Sequence, residues 1–256
     1  MSTRCCVLVS LAVGLLIVAF SLHPRLRTVA ADTFPSLFGA KHAKVWKVRA
    51  DRKLVHLLSP GAVIRSAQYF GRTVTVTDTS ERHIAHILAE VESGIYQLHL
   101  PGAWASLPLH SARATIIDVG GNFGAFSIAA KTRFPHARLL TVEAMPPTCR
   151  HLKYGLAATL GYRRKSTRHR RGRSTSEVSI PGVTVECAAL GDGKPLHLVA
   201  NRWNSCCGSS HYKFDDASFS SDRYIHFHNV SSYTLDSLLE RHGVDKVDLL
   251  KIDCEG

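Results

Sequence analysis

The feature that most constrains this chain is an alternation of short apolar runs with helical patterns, beginning at Thr115. "TIIDV" (Thr115–Val119), "ARLLTVEA" (Ala137–Ala144), "VTVECAAL" (Val183–Leu190) and "KVDLLKIDCEG" (Lys246–Gly256) each read as a buried strand. Between them lie a helix from Phe123 to Phe134, a second opened by Pro146 and Pro147, and a short one after Asp236 that Gly243 stops. Strands alternating with helices form parallel βαβ units. The expected fold class is α/β with a doubly wound parallel sheet.

In such a sheet ligands bind at the carboxyl ends of the strands. The first strand runs through Asp118 into Gly120, Gly121 and Gly124, whose missing Cβ atoms allow a tight turn and a close approach of backbone to a ligand. Glu143 follows Gly120 by 23 residues and ends the adjacent strand, where a carboxylate accepts hydrogen bonds from ribose hydroxyls. The dinucleotide fingerprint needs glycine where Val119 stands, and Asp118 would repel a pyrophosphate. S-adenosylmethionine carries no phosphate, and its sulfonium and ammonium favour a nearby acid. The residues therefore point to S-adenosylmethionine over NAD, leaving an NAD-linked enzyme as an alternative.

"IIDVGGNFGAFSIAA", "LLTVEAMPPTCRHLK", "AALGD", "YTLDSLL" and "VDLLKIDCEG" together resemble the FkbM family of S-adenosylmethionine-dependent methyltransferases. The most specific match is Lys251, Asp253, Glu255 and Gly256 to the family's K-I-D-x-E-G. Ala144 departs from the proline that usually follows the acid. The resemblance implies a Rossmann-like methyltransferase domain and O-methylation of a sugar or other hydroxylated metabolite. It implies that Asp118, Gly120, Asn122 and Gly124 cradle the methionine moiety and that Glu143 holds the ribose. Ala189, Leu190 and Asp192 then border the adenine, and Asp253 and Glu255 lie near the transferred methyl as base or acceptor-orienting groups. His211, His226 and His228 are the alternative bases. "HFH" at 226–228 lacks a third ligand, so no metal is expected. Family members continue past the closing glycine, so the sheet is expected to be incomplete at its C-terminus. An inactive remnant acting as an interaction module is the competing expectation.

Upstream, Cys5–Leu22 is 18 residues without a charge, just long enough to span a bilayer. It reads as an uncleaved signal anchor and a single-pass membrane protein of the secretory pathway, secreted if the segment is cleaved. Arginines on both flanks leave its orientation open. The organisation expected is an anchor at 1–22, a stalk and extension at 23–110, and a partial methyltransferase domain at 111–256. Within the extension, Ser80 opens a helix whose apolar face is Ile84, Ile87, Leu88 and Val91.

The net charge of +12 is concentrated in Arg163–Ser176, which holds six Arg and one Lys; without them the excess is +5. With no apolar residue between Tyr162 and Val178, this run reads as a solvated, disordered insertion. It has no interleaved aromatics for base stacking, and the chain has no base-flipping motif, so nucleic acid is not an expected partner. The partners expected are a small-molecule or glycan hydroxyl acceptor and the membrane. The seven cysteines show no C-x-x-C spacing and read as scattered thiols.

Overall fold

The computed structural model describes residues 44–93, 96, 107–168, 174–201, 210–211 and 224–254. The anchor expected at 1–22 and the site residue Glu255 lie outside them. Among the described residues no helix is long and apolar enough to cross a membrane.

The described chain opens with an antiparallel sheet of β1 (Val45–Lys47), β2 (Val63–Tyr69) and β3 (Arg72–Asp78), followed by helix α1 (Glu81–Glu92). Phe70 and Gly71, both at positive φ, make the two-residue turn between β2 and β3. Ser80 caps α1 by accepting from the His83 N–H, as the sequence predicts. The described part of the expected stalk and extension is not a stalk. Val74 and Val76 of β3 and Ile84, Leu88 and Val91 of α1 belong to one core with Phe126, Ile128 and Leu152. The alternating pattern of β3 gives it an apolar face, and that face is covered.

The chain continues through β4 (Thr115–Val119), α2 (Ala125–Arg133), β5 (Arg138–Val142) and α3 (Pro146–Leu160). A hairpin follows, β6 (Arg163–Arg168) and β7 (Ser174–Ser179), then β8 (Val183–Glu186) and β9 (Ala189–Leu190). Next come β10 (Leu196–Asn201), β11 (Ser210–His211), β12 (Tyr224–Val230) and β13 (Ser232–Tyr233), and finally α4 (Leu235–Arg241) and β14 (Leu249–Ile252). The main sheet has the order β14-β4-β5-β8 and is parallel throughout. Its order reverses between β4 and β14, which creates a ligand crevice at their carboxyl ends.

Side-chain alternation along β4 and β5 supplies two cores. Ile116 and Leu139 face α2 and α3, while Ile117, Val119, Leu140 and Val142 pack with Leu238 of α4. Helices on both faces make the sheet doubly wound, as the alternation predicts.

Three expectations are corrected. Residues 169–173 lie outside the described residues, and the rest of Arg163–Ser176 is not a disordered insertion: β6 and β7 pair antiparallel from Arg163 opposite Ser179 to Arg168 opposite Ser174. Backbone hydrogen bonds order it, and Val178 and Ile180 anchor its base in the core. "VTVECAAL" is not one strand, because β8 ends at Glu186 and β9 pairs instead with β13. The break falls at Cys187, which is bonded to Cys149 of α3, so these two cysteines are not free thiols.

Candidate functional site

Asp118 and Lys251 are register partners on the adjacent parallel strands β4 and β14. Their side chains meet in the interior, Lys251 Nζ lying 3.0 Å from Asp118 Oδ1 with Asp118 fully buried. A buried ion pair stabilises only when its remaining polar atoms are hydrogen-bonded. Here the Ser127 hydroxyl donates to Asp118 Oδ2 at 2.6 Å, and Lys251 donates to the Gly120 carbonyl at 2.8 Å. The Lys251 ammonium also lies over the Tyr96 and Phe126 rings, 5.8 and 5.7 Å from their centroids. Asp118 thus has a counter-charge within the protein that the sequence reading did not give it, and the pair braces the strand tips.

The glycine turn has a similar internal logic. Gly120 has φ +75°, and a Cβ there would stand 2.0 Å from the Asp253 carbonyl oxygen. Cβ atoms at Gly121 and Gly124 would meet Thr141 Oγ1 at 2.4 Å and Leu152 Cδ1 at 2.9 Å. Glycine is required so that the turn can pack against β14, β5 and α3. The closest approach is to protein, where the sequence suggested a ligand. The Gly120 and Gly121 N–H groups both donate to the Val142 carbonyl. Asn122 follows at φ +50°, a left-handed conformation that asparagine tolerates better than most residues. Its side-chain Oδ1 is buried and accepts no hydrogen bond from the described residues.

Glu143, just past the end of β5, holds this turn. Its Oε2 accepts from the Asn122 N–H at 2.9 Å and its Oε1 from the Met145 N–H at 2.8 Å. Burial pushes the carboxyl pKa up, and the two N–H bonds offset this only in part. Each oxygen retains acceptor capacity. Beside it, the sheet of β10, β11 and β12 packs Leu198 and Val230 against Met145.

Asp253 extends from the tip of β14 with its side chain 65 % exposed. Tyr96 donates to its Oδ2 at 2.5 Å, and Lys251 Nζ lies 3.7 Å from the same oxygen. The structure thus brings Asp118, Gly120, Asn122, Gly124, Glu143 and Asp253 together at the switch point. The remaining residues are less tied to it. Ala189 is buried and hydrogen-bonded to the Ser231 carbonyl, and Leu190 packs on the α4 side of the sheet. Asp192 is engaged in its own turn, accepting from the Lys194 N–H at 3.0 Å with Lys194 Nζ 3.1 Å away. His226, one of the alternative bases, hydrogen-bonds His197 at 3.1 Å.

Two residues, Lys251 and Tyr96, were given no role at the site by the sequence reading. A lysine in the otherwise apolar "LLKI" is itself a signal, because a buried ammonium needs a partner. Tyr96 carries no such signal, its contact with Asp253 spanning 157 positions.

Searches of curated proteins and of solved structures return no match. The family model of the methyltransferase FkbM domain matches residues 118–256, a span that opens on the buried aspartate and includes the glycine turn, Glu143 and the Lys251–Asp253 tip. The chain belongs to the FkbM methyltransferase family.

Proposed function

We propose that the chain is an S-adenosylmethionine-dependent O-methyltransferase acting on a sugar or other hydroxylated metabolite. The observation that carries this reading is the pair of carboxylates, Glu143 and Asp253, left at the switch point once Lys251 has neutralised Asp118. Two acids with no uncommitted cation between them among the described residues suit a ligand bearing sulfonium and ammonium groups, and disfavour a pyrophosphate. The preference over NAD thus survives, carried by different residues. Glu143 has one acceptor position on each oxygen for the two ribose hydroxyls. The unpartnered Asn122 Oδ1 is a further acceptor in the turn.

The cofactor supplies an electrophilic methyl group and departs as a neutral thioether. Asp253 takes the proton of the acceptor hydroxyl or orients it, and its exposure leaves the carboxylate within reach of an incoming molecule. Tyr96 and Lys251 fix that carboxylate in place, which is how an enzyme of this kind accelerates a displacement at carbon. Isothermal titration calorimetry on the full chain should show binding of S-adenosylmethionine and S-adenosylhomocysteine. Tight binding of NADH with no response to either would overturn the reading.

The Cys149–Cys187 disulfide supports an oxidising compartment, since such bonds persist in secretory-pathway and extracellular proteins. With Cys5–Leu22 as a membrane anchor, the domain would face the lumen, an orientation that the flanking arginines leave open. Carbonate-resistant membrane association with the domain protected from added protease is the expected result. A cytosol-facing, protease-sensitive domain would refute it.

A further inference from the structure

The β6–β7 hairpin takes no part in the site just described. It is a separate two-stranded sheet, hydrogen-bonded to no other strand among the described residues. Isolated two-stranded ribbons are marginal in water, so something must hold this one. Val178 and Ile180 do so at its base, packed into the main core. Beyond that base the sequence has no apolar residue back to Tyr162.

Strand β6 places Arg163, Arg164, Lys165 and Arg168 within six residues, a reach of about 17 Å at some 3.3 Å per residue. On β7 the acid Glu177 stands opposite Lys165, while the arginines face Ser179, Val178 and Ser174 in the register. By register and sequence, one acid, Glu177, stands against the four cations of β6, so the described strands of the ribbon carry an excess of positive charge. An ordered element of uncompensated positive charge raises the free energy of the folded chain through self-repulsion, and an anionic partner relieves that repulsion.

Three observations narrow the partner. The ribbon lacks apolar residues to enter a bilayer and aromatic residues to stack on bases. The Cys149–Cys187 disulfide belongs in compartments where nucleic acid is not a resident ligand. Clustered Lys and Arg with Ser and Thr between them are suited to sulfate or carboxylate groups on a glycan.

Position adds a fourth argument. The hairpin leaves from the far end of α3, whose capping residue Met145 donates its N–H to Glu143 at the other end. A helix of 15 residues is about 22 Å long at 1.5 Å per residue. A monosaccharide held on β6 cannot reach the strand tips, whereas a polymer can span that distance.

We propose that the β6–β7 hairpin is a docking surface for an anionic polysaccharide, separate from the methyl-transfer site. A polysaccharide also carries hydroxyl groups, so the docked polymer and the methyl acceptor can be one molecule. That last link rests on the methyltransferase reading; the docking itself does not.

The test uses the full chain in non-ionic detergent with heparin as the sulfated probe. Dextran, phosphatidylserine vesicles and double-stranded DNA serve as comparisons. The variant R163Q/R164Q/K165Q/R168Q should bind heparin at least about tenfold more weakly at 0.15 M salt, with a shallower salt dependence. A matched variant of four exposed cations elsewhere, K44Q/K47Q/R52Q/K53Q, should bind nearly as the parent does. The same thermal unfolding and S-adenosylhomocysteine affinity in all three proteins would show that fold and site are intact. Should the fourfold hairpin variant not fold, R163Q/R168Q gives the same comparison. Equal weakening by both sets would mean net charge alone and would overturn the proposal. Absence of heparin binding, equal retention on dextran, or tighter binding to vesicles or DNA would also overturn it. Because no turnover is measured, a failure here leaves the methyltransferase reading standing.

Discussion

The Tyr96 hydroxyl donates to Asp253 Oδ2 at 2.5 Å, joining a residue before the family domain to the tip of its last described strand. Burial, then this bond and the Asp253 charge, push the phenol pKa far up, so Tyr96 remains a protonated donor. Tyr96→Phe keeps the ring against Phe126 and Lys251 but removes the donor. Denaturant unfolding should show a loss of about 1 kcal/mol, the ordinary net worth of one hydrogen bond. The sign of the pH dependence follows from the raised value. The native chain holds this proton more tightly than the unfolded one, so the stability is present below about pH 10 and is lost as pH rises through the alkaline range. The phenylalanine variant should lose less stability than the parent between pH 9 and 11. An identical alkaline slope in the two proteins would show that Tyr96 is not held as described.

Lys251 is tested by what it leaves behind. In Lys251→Met the buried Asp118 loses its counter-charge, and breaking such a pair typically costs about 3–5 kcal/mol. The double variant D118L/K251M removes both charges and should recover most of that loss in chemical denaturation. Equal stability of Lys251→Met and the parent would show that the ammonium is not what balances Asp118.

The parallel, doubly wound character of the main sheet was legible because alternation and apolar content report burial, and burial is what a parallel strand needs on both faces. The position of Glu143, past the end of β5 and beside the glycine turn, was legible for the same reason: strand ends and glycine turns carry local signals. Asp118 was located at the strand tip, but its ion pair was not legible. Its role depends on Lys251, which is 133 positions away and adjacent only once β14 lies beside β4. The packing of the glycine turn was likewise not legible, since the Asp253 carbonyl that crowds Gly120 is brought there by tertiary structure. The hairpin was missed because hydrophobic periodicity is silent about a strand pair held by backbone bonds and anchored at one end. Cys149 and Cys187 are 38 residues apart and carry no spacing signature, so their bond is visible only once α3 packs beside the end of β8.

Glu143 should make apo stability and cofactor affinity respond oppositely to pH. Burial raises its carboxyl pKa in the folded chain, so the native state holds the proton more tightly than the unfolded state does. Its contribution to stability is thus present below the ordinary carboxylate range and is lost as pH rises through the raised folded value. The ionised form is the better acceptor for ribose hydroxyls, so affinity for S-adenosylhomocysteine should fall as pH drops through the same window. Glu143→Ala should weaken binding at pH 7.5 by about 1.5–3 kcal/mol per charged hydrogen bond lost, and should flatten the acid limb. Calorimetry from pH 5 to pH 7.5 on both proteins checks this. An unchanged dissociation constant in a folded variant removes Glu143 from the site.

The Cys149–Cys187 bond ties the first turn of α3 to the loop after β8. Its α3 end adjoins the switch point: Met145 caps α3 and its N–H donates to Glu143. Closing a loop of 38 residues lowers the entropy of the unfolded chain by the equivalent of about 4 kcal/mol on the chain-entropy account. Cys149 is fully buried, so the reduced form also leaves a thiol in the core without its bonded neighbour. Thermal unfolding in reducing buffer should therefore occur well below that in oxidising buffer. Cys149→Ala/Cys187→Ala should reproduce the lower transition and become insensitive to reductant. S-adenosylhomocysteine should raise the transition of the oxidised protein more than that of the reduced one, because the bond holds the helix start that orients Glu143. Coincident transitions in the two buffers, for protein whose disulfide is verified by mass, would show that packing alone fixes this end of α3.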